Sequence, residues 1–295
     1  MRTERSVVAA GSLRLAVERV ARPGPVRGAM LCVNGAVATM AALRWAVEGL
    51  TDFDLLLFDF PPFGASAGLN RHTPFLDKDA QADLILALID AFRPDYLLAQ
   101  SWGGTAALLA LATRPPCVKG AIVSAYSAGL SPAMRRLAEA LGRSLAAGDR
   151  AAAARLTVET LGERLPPLLQ RLQERYFLRF SDDEARHVAW LIAHAASLSF
   201  DELAPSMAAI GVPVLIANGA EDRFTSPAAA APLLDWLPQA RQAVVPDAGH
   251  FLAMEGPGPS AACIAGIRAF LQPSGPAPSA DLAQRPFAQS QRARV

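Results

Sequence analysis

The chain has 295 residues, of which 52% are hydrophobic and only 19% charged, with a formal net charge of +1. That length suits one large α/β domain carrying an insertion, or two small domains. The apolar content argues against a disordered chain, and the near-neutral charge lacks the basic footprint of a nucleic-acid binder.

Short apolar runs then alternate with helical patterns, as in βαβ units around a parallel sheet. "SVVAAGSLRLAVERV" predicts an opening antiparallel hairpin that turns near Gly11. "AMLCVNG" (29–35) reads as a buried strand and "ATMAALRWAVEGL" as the helix after it. "FDLLLFDF" (53–60) is the next strand, ending in a Pro- and Gly-rich loop that holds "GASAG". "DKDAQADLILALIDAF" has acidic residues in its first turn and apolar residues at helical spacing, and predicts a crossover helix. "DYLLAQS" (95–101) is a strand running straight into the helical "WGGTAALLALAT", and "GAIVSAY" (120–126) is another strand. "PVLIANG" (213–219) and "RQAVVPDAGH" (241–250) complete the strands, each followed by a helix.

The segment 131–207 differs in kind: it is rich in Ala, Leu and Arg, helical in period and without a convincing strand. It is expected to be a helical cap inserted into a core formed by 1–130 and 208–272, giving a mostly parallel, doubly wound α/β sheet. The Pro- and Ser-rich tail 273–295 is expected to be disordered.

Arg14 and Glu18 interrupt the N-terminal apolar residues, and no run reaches the ~18 apolar residues of a membrane span. A cytoplasmic protein with no integral membrane segment is expected. Cys32, Cys117 and Cys263 are far apart and form no C-x-x-C pair, so neither a metal site nor a disulfide framework is indicated. No Walker sequence occurs, and no G-x-G-x-x-G opens a helix after a strand, so no cofactor is expected.

Two serines compete for the role of nucleophile. "GASAG", residues 64–68, matches the esterase pattern G-x-S-x-G letter for letter, whereas "AQSWGG", residues 99–104, lacks the first glycine. The chemistry needs a serine on a tight turn between a buried strand and a helix, with the next backbone N–H aimed at the developing oxyanion. Ser101 has that context. Ala99 replaces the usual glycine by a single methyl group, and Gly103 sits where a side chain would crowd the turn. Ser66 is followed by "LNRHTP" rather than by a helix, and "GASAG" reads more simply as a flexible loop near the site.

A serine nucleophile needs a base and an orienting acid, in the chain order Ser, Asp/Glu, His. Of the four histidines, His72 precedes the serine, and His187 and His194 fall on helical patterns in the cap. His250 lies just after the last strand, where the base belongs. Asp222 in "NGAEDRFTSP" is the acid; Glu221 reads as solvated, and Asp247 is too close to His250 in sequence. The Trp102 N–H and the Ala36 N–H, in the loop "VNGAVAT", are the expected oxyanion donors.

"VNGAVAT", "LLFDFPPFGAS", "SWGG", "NGAEDRFT" and "GHFLAME", in that order, resemble the bacterial 3-hydroxyacyl acyltransferases of the α/β-hydrolase fold. That group includes synthases of 3-(3-hydroxyalkanoyloxy)alkanoate, the lipid precursor of rhamnolipids, and 3-hydroxyacyl-ACP:CoA transacylases or thioesterases. The similarity runs from about residue 7 to 271, and the Asn-Gly-Ala-x-Ala-Thr element stands where most hydrolases of this fold carry His-Gly. The family's catalytic serine, aspartate and histidine fall on Ser101, Asp222 and His250. Departures are Arg223-Phe224, where the family has an acidic or aromatic pair, and a weakly matching cap.

The resemblance implies a 3-hydroxyacyl thioester donor on acyl carrier protein or CoA and an acyl-Ser101 intermediate. The acceptor is a second hydroxyacyl chain, with CoA or water as the alternatives. Asn34, Met134, Leu137, Phe224 and Phe251 are the expected substrate contacts, with Leu141 and Leu145 extending the cap stripe begun by Met134 and Leu137. Arg135, Arg136, Arg143 and Arg150 form a candidate basic rim for an acidic carrier. The rival readings are a plain carboxylesterase, which would cleave short p-nitrophenyl esters briskly, a non-catalytic ligand-binding member of the fold, and a cofactor-free perhydrolase.

Overall fold

A computed structural model describes residues 1–272; the expectation of a disordered tail lies outside the described residues. Eight strands form one sheet: β1 (Arg2–Ala10), β2 (Leu13–Ala21), β3 (Ala29–Val33), β4 (Asp54–Phe58), β5 (Tyr96–Gln100), β6 (Gly120–Ser124), β7 (Val214–Gly219) and β8 (Ala240–Val245). Their spatial order is β1-β2-β4-β3-β5-β6-β7-β8. β1 and β2 form the antiparallel hairpin around Gly11, and β2 is antiparallel to β4. All remaining pairs are parallel.

Helices α1 (Arg44–Gly49), α2 (Gly64–Ala67), α3 (Lys78–Phe92) and α4 (Gly103–Ala112) lie between the strands of the first half. Four helices, α5 (Pro132–Ala146), α6 (Arg150–Glu159), α7 (Pro167–Leu178) and α8 (Asp182–Ser197), stand between β6 and β7. The short α9 (Ala204–Ala208), α10 (Pro227–Ala230) and α11 (Leu233–Trp236) precede the long α12 (Pro257–Phe270).

The central strands are buried on both faces, so they read as continuous apolar runs, yet their side chains still alternate. Leu31, Leu56, Leu97 and Ala99 pack with α3 and α4 on one face. Met30, Cys32, Leu55, Leu57 and Leu98 pack with α1 and α12 on the other. Cys32 and Cys263 belong to this second layer, and burial pushes both thiols up to about 12, so they act as small hydrophobes. A separate cluster around Phe63, Leu141, Leu145, Phe177, Phe180 and Val188 joins the inserted helices to the loop after β4.

The helix starts follow local chemistry. Asp77 accepts from the Ala80 amide ahead of α3, Ser131 from Met134 ahead of α5, and Ser181 with Glu184 closes a capping box ahead of α8.

"GASAG" is not a flexible loop. Its first four residues form α2, and Ser66 is fully buried. The Ser66 hydroxyl donates to the Asp59 carbonyl at 2.6 Å and accepts from the Ala16 amide at 2.9 Å, tying the loop to β2. Gly64 has φ +53°, and a Cβ there would stand 2.1 Å from Asp59 Oδ2. The buried Asp59 carboxylate accepts from the Met40 and Ala65 amides. Gly64 and Ser66 therefore serve the strand–loop junction.

Gly103 is constrained by a close approach. A Cβ at this position would lie 2.2 Å from the Asn34 carbonyl oxygen, which is backbone and cannot swing away. Gly103→Ala is expected to destabilise the fold by roughly 1–3 kcal/mol, the usual cost of overpacking. A urea titration comparing the two proteins measures it; an unchanged midpoint would show that the β3 loop gives way freely.

Candidate active site

Ser101 is the first residue of the two-residue turn between β5 and α4, with φ 51°. A non-glycine residue in this region is strained, and the surroundings hold it there. The Ser101 amide donates to the Ser124 carbonyl at 2.8 Å, and the Ser101 carbonyl accepts from Gly104 at 2.8 Å. The hydroxyl consequently stands above the C-terminal edge of the sheet.

The loops after β7 and β8 bring Asp222 and His250 to the same point. Ser101 Oγ lies 3.2 Å from His250 Nε2, and His250 Nδ1 lies 3.0 Å from Asp222 Oδ2. Both partners are buried. Asp222 is held from several sides: the Phe224 and Thr225 amides donate to Oδ1 at 2.8 and 3.0 Å, and the Thr225 hydroxyl donates to Oδ2 at 2.5 Å. Thr225 Oγ1 also lies 3.4 Å from His250 Nδ1. An imidazole so placed can accept the serine proton while the carboxylate fixes its tautomer.

Burial alone would raise the Asp222 carboxyl, but its hydrogen bond to His250, the imidazole charge and the Thr225 bonds outweigh it and hold the pKa down to about 2. The ordinary value is 3.8, so this carboxylate adds stability that is complete above about pH 4 and is lost as the pH falls through 2. The wild-type protein is therefore expected to lose stability relative to Asp222→Asn between about pH 4 and 2 in paired urea titrations. Parallel curves across that window would refute the assignment.

The loop after β3 passes beside the serine: a Cβ on Gly35 would lie 3.4 Å from Ser101 Cβ. The Ala36 and Trp102 amides make no backbone hydrogen bond among the described residues, which leaves both free to meet an oxyanion. Trp102 itself is fixed by its indole N–H, which donates to Gln81 Oε1 at 3.0 Å.

Ser101, His250, Ala36 and Val37 line two cavities. The first, about 840 Å³, runs under α5 and α8 past Met134, Leu137, Leu191 and Phe200. The second, about 1140 Å³, runs under α6 and α7 past Leu161, Leu169, Phe177 and Met254. Leu141 borders both. Both linings are mainly aliphatic and aromatic. In the second, the Tyr176 hydroxyl and Gln173 Oε1 are buried without a hydrogen-bond partner.

Of the expected substrate contacts, Met134 and Leu137 line the first cavity and Phe251 the second. Asn34 and Phe224 line neither. Asn34 is drawn below the site because its Nδ2 donates to the Phe58 carbonyl at the end of β4. Phe224 is buried with its ring edge-on to His250, centroids 6.3 Å apart. Leu145 leaves the stripe and packs within the cap cluster. His187 is held between the Asp183 and Thr73 carbonyls, and His194 stacks on Trp190 at 5.0 Å. Glu221, Asp247 and His72 are exposed.

Sequence reading missed the supports of the site. Glu255 lies five residues beyond His250 and accepts from both flanking amides, Gly249 at 2.6 Å and Phe251 at 2.9 Å. Arg164, from the turn between α6 and α7, pairs with Glu255 at 3.2 Å and donates to the Asp247 carbonyl at 2.7 Å. Its neighbour Glu163 pairs with Arg223, beside Asp222, at 3.1 Å. A Cβ on Gly249 would stand 2.8 Å from Arg164 Cδ, so glycine before His250 makes room for this clamp. The spacing of Glu255 after His250 was the only available sequence signal.

Among the described residues no helix is long and apolar enough to cross a membrane, and no group of acidic, His and Cys side chains is arranged to hold a metal.

Residues 28–257 match the α/β hydrolase fold family. The chain is 32% identical over 235 residues to the (R)-3-hydroxydecanoyl-ACP:CoA transacylase of Ectopseudomonas oleovorans, covering 79% of this chain and 80% of that one. It is 33% identical over 258 residues to the enzyme of the same name from Pseudomonas aeruginosa, covering 86% and 85%. Among solved structures, MGS-M2, an α/β hydrolase from a deep-sea metagenome library, superposes with a TM-score of 0.74 at 18% identity, over 90% of this chain and 97% of the other. A thermophilic esterase from Thermogutta terrifontis gives 0.73 at 20% identity, over 91% and 98%. These structures speak to the fold alone, and the sequence relatives narrow it: the chain belongs to the α/β-hydrolase family, in the branch that contains the (R)-3-hydroxydecanoyl-ACP:CoA transacylases.

Proposed function

We propose that this enzyme takes a 3-hydroxyacyl group from a thioester, holds it as an ester of Ser101, and passes it to the 3-hydroxyl of a second hydroxyacyl chain. The product is a 3-(3-hydroxyalkanoyloxy)alkanoate, of the kind that precedes rhamnolipid-type biosurfactants. The observation that carries this reading is the position of Ser101 and His250 on the shared wall of two apolar cavities. One chain occupies each cavity, and the reacting atoms meet where the cavities join.

In the first half-reaction His250 Nε2 removes the Ser101 proton as Oγ attacks the thioester carbonyl carbon. The Ala36 and Trp102 amides receive the oxyanion, and Asp222 steadies the imidazolium. The tetrahedral intermediate collapses, the C–S bond breaks, and the leaving thiolate takes the proton from His250. In the second half, His250 takes the proton of the acceptor hydroxyl, whose oxygen attacks the acyl-serine carbonyl. Ser101 leaves and recovers the proton. Water competes with the acceptor, and the apolar lining and roof of inserted helices disfavour it. The unpartnered Tyr176 hydroxyl and Gln173 Oε1 favour a hydroxylated chain, because an unsubstituted chain would leave them buried and unpaired.

A second reading has its own support. The curated relatives carry the name ACP:CoA transacylase, which makes the thiol of CoA the alternative acceptor. The test is mass spectrometry of products from (R)-3-hydroxydecanoyl-ACP, with and without CoA. A dimeric ester supports the condensation; hydroxydecanoyl-CoA alone replaces it with transacylation; free acid alone makes water the acceptor. Cleavage of short esters with no turnover of the thioester would remove the acyltransferase reading altogether.

A further inference from the structure

Helix α7 walls the second cavity with Leu169, Leu172, Gln173 and Tyr176. Its outer face is unusual for a solvent-facing surface. Leu168 is 60% exposed, Leu172 50% and Leu178 47%. At 100° per residue, Leu168, Leu172, Arg175 and Arg179 fall within about 60° of one another, with Arg171 and Leu178 at the edge of the same face. Glu174, the only carboxylate of the helix, stands about 100° or more from those four residues and about 40–60° from Leu178 and Arg171, on the flank beyond that edge.

Arg171, Arg175 and Arg179 are all exposed, and none has an ion pair or side-chain hydrogen bond among the described residues. The basic residues of α5 and α6 are in part committed elsewhere. Arg150 pairs with Asp182, and Arg135 donates to the Ala196 carbonyl. Of the carboxylates on and around these helices, Glu163 is taken by Arg223 and Asp183 by Arg186, which leaves Glu174, on the flank of α7, against the three arginines. The α7 face thus combines exposed leucines with unneutralised cations. Leu172 belongs both to this face and to the cavity that reaches Ser101.

We propose that the outer face of α7 is the docking surface for the acidic carrier protein that delivers the acyl chain. The proposal rests on the thioester-transfer reading above. An acidic helix would lay its carboxylates along the three arginines and its apolar residues on the leucines, the mixture of apolar centre and charged rim common in specific interfaces. The thioester arm then enters beside Leu172 and reaches Ser101 through the second cavity. The interleaving of arginine and leucine on three turns suits a protein of matching pattern better than a lipid surface, which would favour a continuous apolar face.

The test is titration of the full-length Ser101→Ala protein with (R)-3-hydroxydecanoyl carrier protein, a binding measurement that needs no turnover. With Arg171→Glu, Arg175→Glu and Arg179→Glu combined, affinity is expected to fall about tenfold or more, and its salt dependence to flatten. The matching triple Lys variant is expected to bind within about threefold of the parent, which separates charge from folding defects. In proteins that retain Ser101, turnover of the small hydroxydecanoyl-pantetheine thioester is expected to be unchanged by the Glu substitutions. Carrier affinity unaffected by charge reversal overturns the proposal. So does loss of binding to phosphatidylglycerol vesicles with carrier affinity intact, which would make α7 a membrane-facing surface. If the wild type turned over no thioester, the function proposed above would fail, while the titration would still decide whether α7 binds a carrier.

Discussion

Replacing Ser101 by alanine is expected to lower kcat on a 3-hydroxyacyl thioester by a factor on the order of 10⁶, with little change in thermal stability. In the mechanism proposed above the Ser101 hydroxyl is the atom that becomes acylated. Among the described residues its one side-chain hydrogen bond is with His250 at 3.2 Å, so its loss is expected to leave the surrounding structure intact. The control is Ser66→Ala. That change strips the Ala16 amide and the Asp59 carbonyl of their partner in a fully buried position. It is expected to cost about 1–3 kcal/mol of stability and to spare the chemistry. Paired measurements of turnover and melting temperature separate the two serines. Loss of turnover in folded Ser66→Ala, with activity retained in Ser101→Ala, would reverse the assignment.

Asp222→Asn carries the second largest expected effect, a fall in kcat of about 10⁴. The shape of the loop should survive, because the asparagine oxygen still accepts from the Phe224 and Thr225 amides at the position of Oδ1. What changes is the atom facing His250. An amide NH₂ there donates towards Nδ1, so the ring carries its proton on Nε2 and has no lone pair for Ser101. The Thr225 hydroxyl, which donates to Oδ2, also loses its acceptor. Steady-state kinetics with the carrier-bound thioester give the number. A decrease of less than about tenfold would show that Asp222 orients nothing essential.

Much of the core was legible because its signals are local. Buried strands such as "DLLLF" and "YLLAQ" carry an unbroken apolar run with a polar residue at one end, and the strand–serine–glycine–helix succession at Ser101 is written in adjacent residues. The literal pattern at Gly64–Gly68 misled about its own loop for the same reason: its glycine and serine answer to Asp59 and Ala16, partners that no local pattern reveals. Asn34 sits in a motif beside the oxyanion loop, yet a distant carbonyl captures its side chain. The second cavity needs α7 to fold back over Ala38, Ala42 and Met254, contacts that depend on the path of the inserted helices. The Arg164–Glu255 pair likewise spans 91 positions of sequence.

Glu163 and Arg164 are neighbours in the chain, yet one grips the loop of the acid and the other the loop of the base. The segment that roofs the two cavities is thus also the brace between the loops that carry Asp222 and His250. Peeling the roof away at this edge would loosen both loops at once and let water in just as the proton relay lost its alignment. Readiness for chemistry and exclusion of water are consequently one mechanical state, so the acyl-serine of the proposed mechanism would be shielded while it waits for its acceptor, without any separate safeguard.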